Sequence, residues 1–253
     1  MNRPDRIYER RRRRFSVVVL IASISIILLL FQTLPQPFEA EDTDIINGTT
    51  LSARIKSGEY TLASEVLGTL AVRESVSKEG YSRGKFGSGW ARSGGCDMRN
   101  LILQRDLDPE QTDTTGCTVI SGNLATDPYT GDMIAFQRGT ETSSRVQIDH
   151  VVALSDAWQK GAQNLDEARR QQFANDPLNL LAVDGSANAQ KGDKDASAWL
   201  PEGEFQCRYV ARQIAVKARY LLWVTQSEYS AMRRVLAICP SQVLPIQTST
   251  EGQ

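Results

Sequence analysis

Residues 145–195 read RVQIDHVVALSDAWQKGAQNLDEARRQQFANDPLNLLAVDGSANAQKGDKD. Val146-Gln147-Ile148 alternates apolar and polar, the pattern of a half-buried strand. It leads into Asp149 and His150, the only histidine of the chain. Asn179-Leu180-Leu181-Ala182-Val183 predicts a second short strand beyond a polar insertion. Asp184-Gly185-Ser186 then predicts a turn, in which Gly supplies a positive φ and the Asp and Ser side chains bond back to the backbone. A helix is expected to open at Ala187-Asn188-Ala189-Gln190-Lys191. The order is strand, loop, strand, turn, helix. Adjacent strand side chains point to opposite faces, so Asp149 and His150 are expected at the end of their strand, where the backbone turns.

Asp149-His150, Asn179, and Asn188 with Lys191-Gly192 behind it resemble the HNH, or ββα-metal, endonuclease superfamily. The likeness is to bacterial exported members with a D-H … N … N-x-x-K-G core. It extends over about residues 80–240, through Tyr81-Ser82-Arg83, Asp127-Pro128-Tyr129-Thr130-Gly131 and Trp199-Leu200-Pro201. The third position is often His in that superfamily, where this chain has Asn188.

Phosphodiester hydrolysis needs a base for water near neutral pH, which a neutral imidazole can supply, and a cation to offset charge at the phosphate. The resemblance implies His150 as base and Asn179 as the residue holding its loop. Asp149 and Asn188 offer oxygen ligands suited to one divalent ion, Mg²⁺ or Mn²⁺. Lys191 could meet a phosphate oxygen as a point charge. Each also has an ordinary structural reading: Asp-His as a surface ion pair, Asn179 as a turn residue, Asn188 as a helix cap, Lys191 as a solvated lysine.

The 253 residues carry a formal net charge of −1. Residues 1–14 hold seven arginines against Asp5 and Glu9, a net +5, which leaves −6 for the rest. An acidic remainder speaks against tight non-specific nucleic-acid binding but not against catalysis with a local basic rim. Residues 15–34, FSVVVLIASISIILLLFQTL, form an uncharged run of twenty, enough for a membrane-spanning helix. Arg10–Arg14 before it should stay cytoplasmic, sending the C-terminal part outside. A single-pass anchor is expected, with secretion after signal cleavage as the alternative. Cys96, Cys117, Cys207 and Cys239 all follow that run. In an oxidising compartment they suggest two disulfides. Three pairings are possible, and Cys96–Cys117 with Cys207–Cys239 staples local units.

A stalk is expected over 35–59 and one domain over 60–240, with a disordered tail over 241–253. Helices are expected at 60–72, 205–225 and from Thr225 to about Ile238, and one or two short ones within 155–175, broken near Gly161. Two strands, 117–124 and 132–136, should flank a hairpin turn at 127–131 and form a small antiparallel sheet whose second strand leads, through 138–144, into the strand of Asp149. In the Gly- and Arg-rich stretch 80–100, Arg83, Lys85, Arg92 and Arg99 are candidates for phosphate contacts. Phe86 and Trp90 there read either as base-stacking aromatics or as anchors to the core.

The expected class is α+β: a ββα-metal core with a small antiparallel sheet, flanking helices and an N-terminal transmembrane helix. The expected function is metal-dependent hydrolysis of nucleic acid, DNA before RNA, outside the cytoplasm. The alternatives are an inactive HNH-fold surface or interaction module, and a hydrolase of another phosphodiester polymer. No P-loop, G-x-G-x-x-G or G-x-S-x-G motif is present.

Overall fold

The computed structural model describes residues 61–139 and 143–245. The chain runs α1 (Ala63–Thr69), β1 (Arg92–Ser93), β2 (Cys96–Asp97), α2 (Met98–Asp106), β3 (Gln111–Thr112), β4 (Val119–Leu124) and β5 (Ile134–Gln137). It continues through β6 (Val146–His150), α3 (Leu154–Gln159), α4 (Glu167–Ala174), β7 (Leu180–Asp184), α5 (Gly185–Lys191), α6 (Gln206–Arg219) and α7 (Gln226–Ile238). This is an α+β architecture. Among the described residues no helix is long and apolar enough to cross a membrane. The expected span at 15–34, the basic tail before it and the stalk after it lie outside the described residues.

β6 and β7 form an antiparallel ribbon with Val146 opposite Asp184 and His150 opposite Leu180. The two-residue period places Val146, Ile148 and His150 on one face and Gln147 and Asp149 on the other. On the first face Val146 and Ala182 pack with Leu103, Val119 and Phe136. On the second, Leu181 and Val183 join the main core with Ala187 of α5 and Tyr209 and Val210 of α6. Helix α5 thus caps one side of the ribbon.

The start of α5 differs from the expected Gly-centred turn. Gly185 is the first helical residue, and its φ is not positive. Asp184 caps the helix by accepting from Ala187 N at 2.7 Å. Glycine is needed for a different reason: a Cβ there would lie 2.1 Å from the carbonyl oxygen of Ser144. The absent side chain lets Gly185 N donate to Arg145 O at 2.9 Å.

The expected small antiparallel sheet ahead of the strand of Asp149 is present and is separate from the ribbon. β3, β4 and β5 form one antiparallel sheet, and β6–β7 is a separate ribbon. After β5 the chain folds back on β4: Arg138 N donates to Ile120 O at 2.7 Å and Arg138 Nε to Val119 O at 2.6 Å. The sheet and the ribbon therefore share a buried apolar layer, not a ladder. Between β4 and β5 the loop is organised by the Asp127 carboxylate, which accepts from Thr130 N and Thr130 Oγ1, each at 2.8 Å.

Helix α1 is shorter than the expected 60–72 because the flanking residues pair elsewhere. Leu62 bridges Val243, and Val72 bridges Val224. Residues 242–244 therefore belong to the packed domain, with Leu244 N bonded to Thr61 O at 3.0 Å and its side chain buried. Helix α6 stops at Arg219, before the expected 225, where Leu221 adopts φ +54° and reverses the chain. Gly161, with φ +123°, breaks the insertion between α3 and α4. The disulfides are Cys96–Cys117 and Cys207–Cys239.

Candidate active site

His150 closes strand β6 and is 6% exposed. Its Nε2 lies 2.8 Å from the carbonyl oxygen of Ala174, at the end of α4. A carbonyl only accepts, so Nε2 carries the hydrogen and Nδ1 the lone pair of the neutral ring, a tautomer assigned from the bond. The ring stacks on Trp90, with centroids 5.8 Å apart and planes 9° from parallel. Both rings line a cleft of about 120 Å³ with Arg83, Phe86, Gly87, Gly89, Leu154 and Ala174. Burial pushes the imidazole down to about 3, against the opposing pull of the Ala174 bond; Arg83 and Lys191 add to the depression.

Asn179 is fully buried and clamps the chain just beyond the histidine. Its Oδ1 accepts from Val152 N at 2.8 Å and its Nδ2 donates to Val152 O at 3.2 Å. Its carbonyl accepts from Val151 N at 2.8 Å. This carboxamide thus sets the backbone after His150.

Asp149 faces the other side of the ribbon. Lys191 Nζ, fully buried, lies 3.1 Å from its Oδ1 and 2.9 Å from its Oδ2, and donates to His150 O at 2.9 Å. The hydroxyl of buried Tyr129 donates to Asp149 Oδ2. Burial raises the Asp149 carboxyl pKa, with Lys191 and Tyr129 pulling the other way. Burial also raises Tyr129 well above the ordinary phenol, with Asp149 adding to it. Asn188, one helical turn before Lys191, donates Nδ2 to Gln147 Oε1 at 2.9 Å. Asp149, Asn188 and Lys191 therefore share the α5 side, and His150 opens on the opposite side with Arg83. Arg99 stands apart from that cleft, its guanidinium 6.0 Å over the Phe136 ring.

As placed, these side chains do not fit a divalent ion. Among the described residues no three of His, Cys, Asp and Glu gather as a metal site. The single carboxylate of the expected pair is bridged by a buried ammonium and a phenol, so both of its oxygens are already partnered. The sequence reads Trp90 as a base-stacking aromatic or a core anchor and Tyr129 as part of a turn. It does not pair Trp90 with His150 or Tyr129 with Asp149.

A two-stranded ribbon ending in a buried imidazole, closed by a helix and lodged in an α+β shell, sets the structural class. The chain belongs to the family described as GmrSD restriction endonucleases, C-terminal domain, whose family model matches residues 97–235. A relative from Arthroderma benhamiae, named as an uncharacterized secreted protein, is 39% identical over 181 residues, covering 70% of this chain and 84% of its own. No solved structure matches.

Proposed function

We propose that this domain hydrolyses phosphodiester bonds in nucleic acid, DNA before RNA, as an HNH-type endonuclease with His150 as general base. The observation that carries the reading is His150 itself: a neutral imidazole at a strand end, its Nε2 tied to Ala174 O, in a cleft shared with Arg83. Membership in a family named for restriction endonucleases supports it.

In this reading the scissile phosphate enters the cleft and Arg83, exposed at its rim, meets a non-bridging oxygen. Nδ1 takes a proton from a water whose oxygen attacks phosphorus, and the bond to the leaving oxygen breaks as that oxygen takes a proton from solvent. The free imidazole is held too acidic to be a strong base. An anionic phosphate close by favours its protonated form, so basicity rises when substrate is bound. Asn179 positions the loop, and Lys191 acts on the His150 carbonyl and Asp149 from within the protein. The Mg²⁺ or Mn²⁺ that the HNH resemblance implies would first require Asp149 to leave Lys191, and no step here is routed through it.

We place the domain outside the cytoplasm, supported by its two disulfides and by the name of the Arthroderma benhamiae relative. The same reading has residues 15–34 retain the chain at the membrane, and membrane fractionation of the full chain tests it.

Cleavage of plasmid DNA and of RNA, in Mg²⁺, in Mn²⁺ and in EDTA, is the direct test. Cleavage by the wild type and its loss in His150→Ala is the expected result, and equal activity in both overturns the mechanism. A binding module without turnover is the second reading, favoured by the closure of Asp149 onto Lys191 and by the −6 charge outside residues 1–14. A folded protein that cleaves neither nucleic acid under any of these conditions would select it.

A further inference from the structure

We propose that Trp90 is a positioning residue for His150, and that the working site therefore begins before the family-matched stretch. This rests on the reading of His150 as the base.

Among the described residues the imidazole has one hydrogen bond, from Nε2 to Ala174 O. A single bond fixes one ring atom and leaves the plane free to swing about it. The nearly parallel indole of Trp90 removes that freedom. Trp90 is itself held from three directions. Its ring packs against the cluster of Met98, Ile102 and Leu180. The next residue, Ala91, accepts from Met98 N at 2.8 Å through its carbonyl. Ala91 N donates to Asn175 Oδ1 at 2.8 Å. Asn175 directly follows Ala174, so the end of α4 anchors both partners of the stack. One turn of chain sets the imidazole through a carbonyl and the indole through a carboxamide. Arg83 and Trp90 both precede residue 97, where the family match starts, yet they form one wall of the cleft.

Three variants test this, each with kcat and KM measured separately and the ring protons of His150 followed by NMR. As the chain has one histidine, those signals need no further assignment. Ring-current shielding by Trp90 should place them upfield. In Trp90→Ala the shielding disappears and kcat falls by about 10- to 100-fold, the scale of a small misplacement of a reacting group, with KM within about twofold. Trp90→Phe restores most of kcat. Asn175→Ala keeps the indole but frees the strap, and should lower kcat with partial loss of shielding.

An unchanged kcat in Trp90→Ala overturns the proposal. So does a loss carried by KM, which would make Trp90 a substrate contact. If Trp90→Ala does not fold, Trp90→Phe and Asn175→Ala decide the matter by the same split. Activity surviving His150→Ala would sink the function reading instead, while the shielding measurement needs no activity and reports the stack alone.

Discussion

Lys191 holds Asp149 and the His150 carbonyl with one ammonium, at 2.9 Å from Asp149 Oδ2 and 2.9 Å from His150 O, without solvent exposure. One residue of α5 thereby fixes both halves of the Asp149-His150 pair to the ribbon. The ion pair is buried, so its net contribution relative to an apolar pair is small, but breaking it strands a charge. Lys191→Met should destabilise the domain by about 3–5 kcal/mol. Adding Asp149→Asn should recover part of that, because the stranded carboxylate is gone. Urea unfolding of the two single variants and the double variant measures the coupling. Strict additivity would mean that the two side chains do not share an interaction.

The depressed imidazole of His150 fixes the sign of a pH effect. The folded value of about 3 lies below the ordinary 6.5. As pH falls through that window the unfolded chain takes the proton first, so stability is intact above about 6.5 and drains away towards 3. His150→Gln should lack that part of the slope. The measurement is unfolding free energy at several pH values for both proteins, with an NMR titration of the single imidazole alongside. An imidazole titrating near 6.5 in the folded protein would contradict the burial described here.

Much of the ribbon was legible in the sequence, because alternation over Val146–Ile148 and the apolar run Leu180–Val183 are local signals of period two. Local spacing also pointed to Cys96–Cys117 and Cys207–Cys239. What was not legible depends on partners far apart in the chain. Trp90 and His150 are sixty residues apart, and nothing near either one announces the stack. Arg83 and Arg99 look alike in sequence, yet one lines the cleft and the other lies over Phe136. Lys191 reads as a solvated lysine until the ribbon brings Asp149 beneath it. Helix α1 ends early for the same kind of reason: Val72 is drawn into a bridge with Val224, which propensity cannot foresee.

Gly185 offers a test in which intrinsic propensity and packing give opposite signs. In a free helix Ala is favoured over Gly by about 1 kcal/mol. Here the added Cβ would sit 2.1 Å from a backbone oxygen, which cannot rotate away as a side chain could. Gly185→Ala should therefore destabilise by about 1–3 kcal/mol, the usual cost of overpacking, and should weaken the Gly185 N to Arg145 O bond. Thermal unfolding together with amide exchange at residue 185 reads both effects. A stabilised variant would show that the strand and helix can separate there without cost.

Away from the cleft, four buried charges and the half-buried Asp195 join α3, α6, α7 and the segment after α5. Lys160 lies 2.6 Å from Asp156, 2.6 Å from Asp195 and 2.8 Å from Glu228, and Lys217 lies 2.8 Å from Glu228. Burial alone would lower the Lys160 ammonium, but Asp156 and Glu228 outweigh it and hold the pKa above its ordinary value. Three carboxylates face two ammonium groups, so the effect of deletion depends on sign. Glu228→Gln removes the surplus negative charge, keeps an acceptor, and should cost about 1–3 kcal/mol. Lys160→Met leaves three carboxylates around one ammonium and should cost about 3–5 kcal/mol. Chemical denaturation of both variants at neutral pH checks the ranking. A larger loss from Glu228→Gln than from Lys160→Met would show that geometry around Glu228, not charge balance, sets the stability of this cluster.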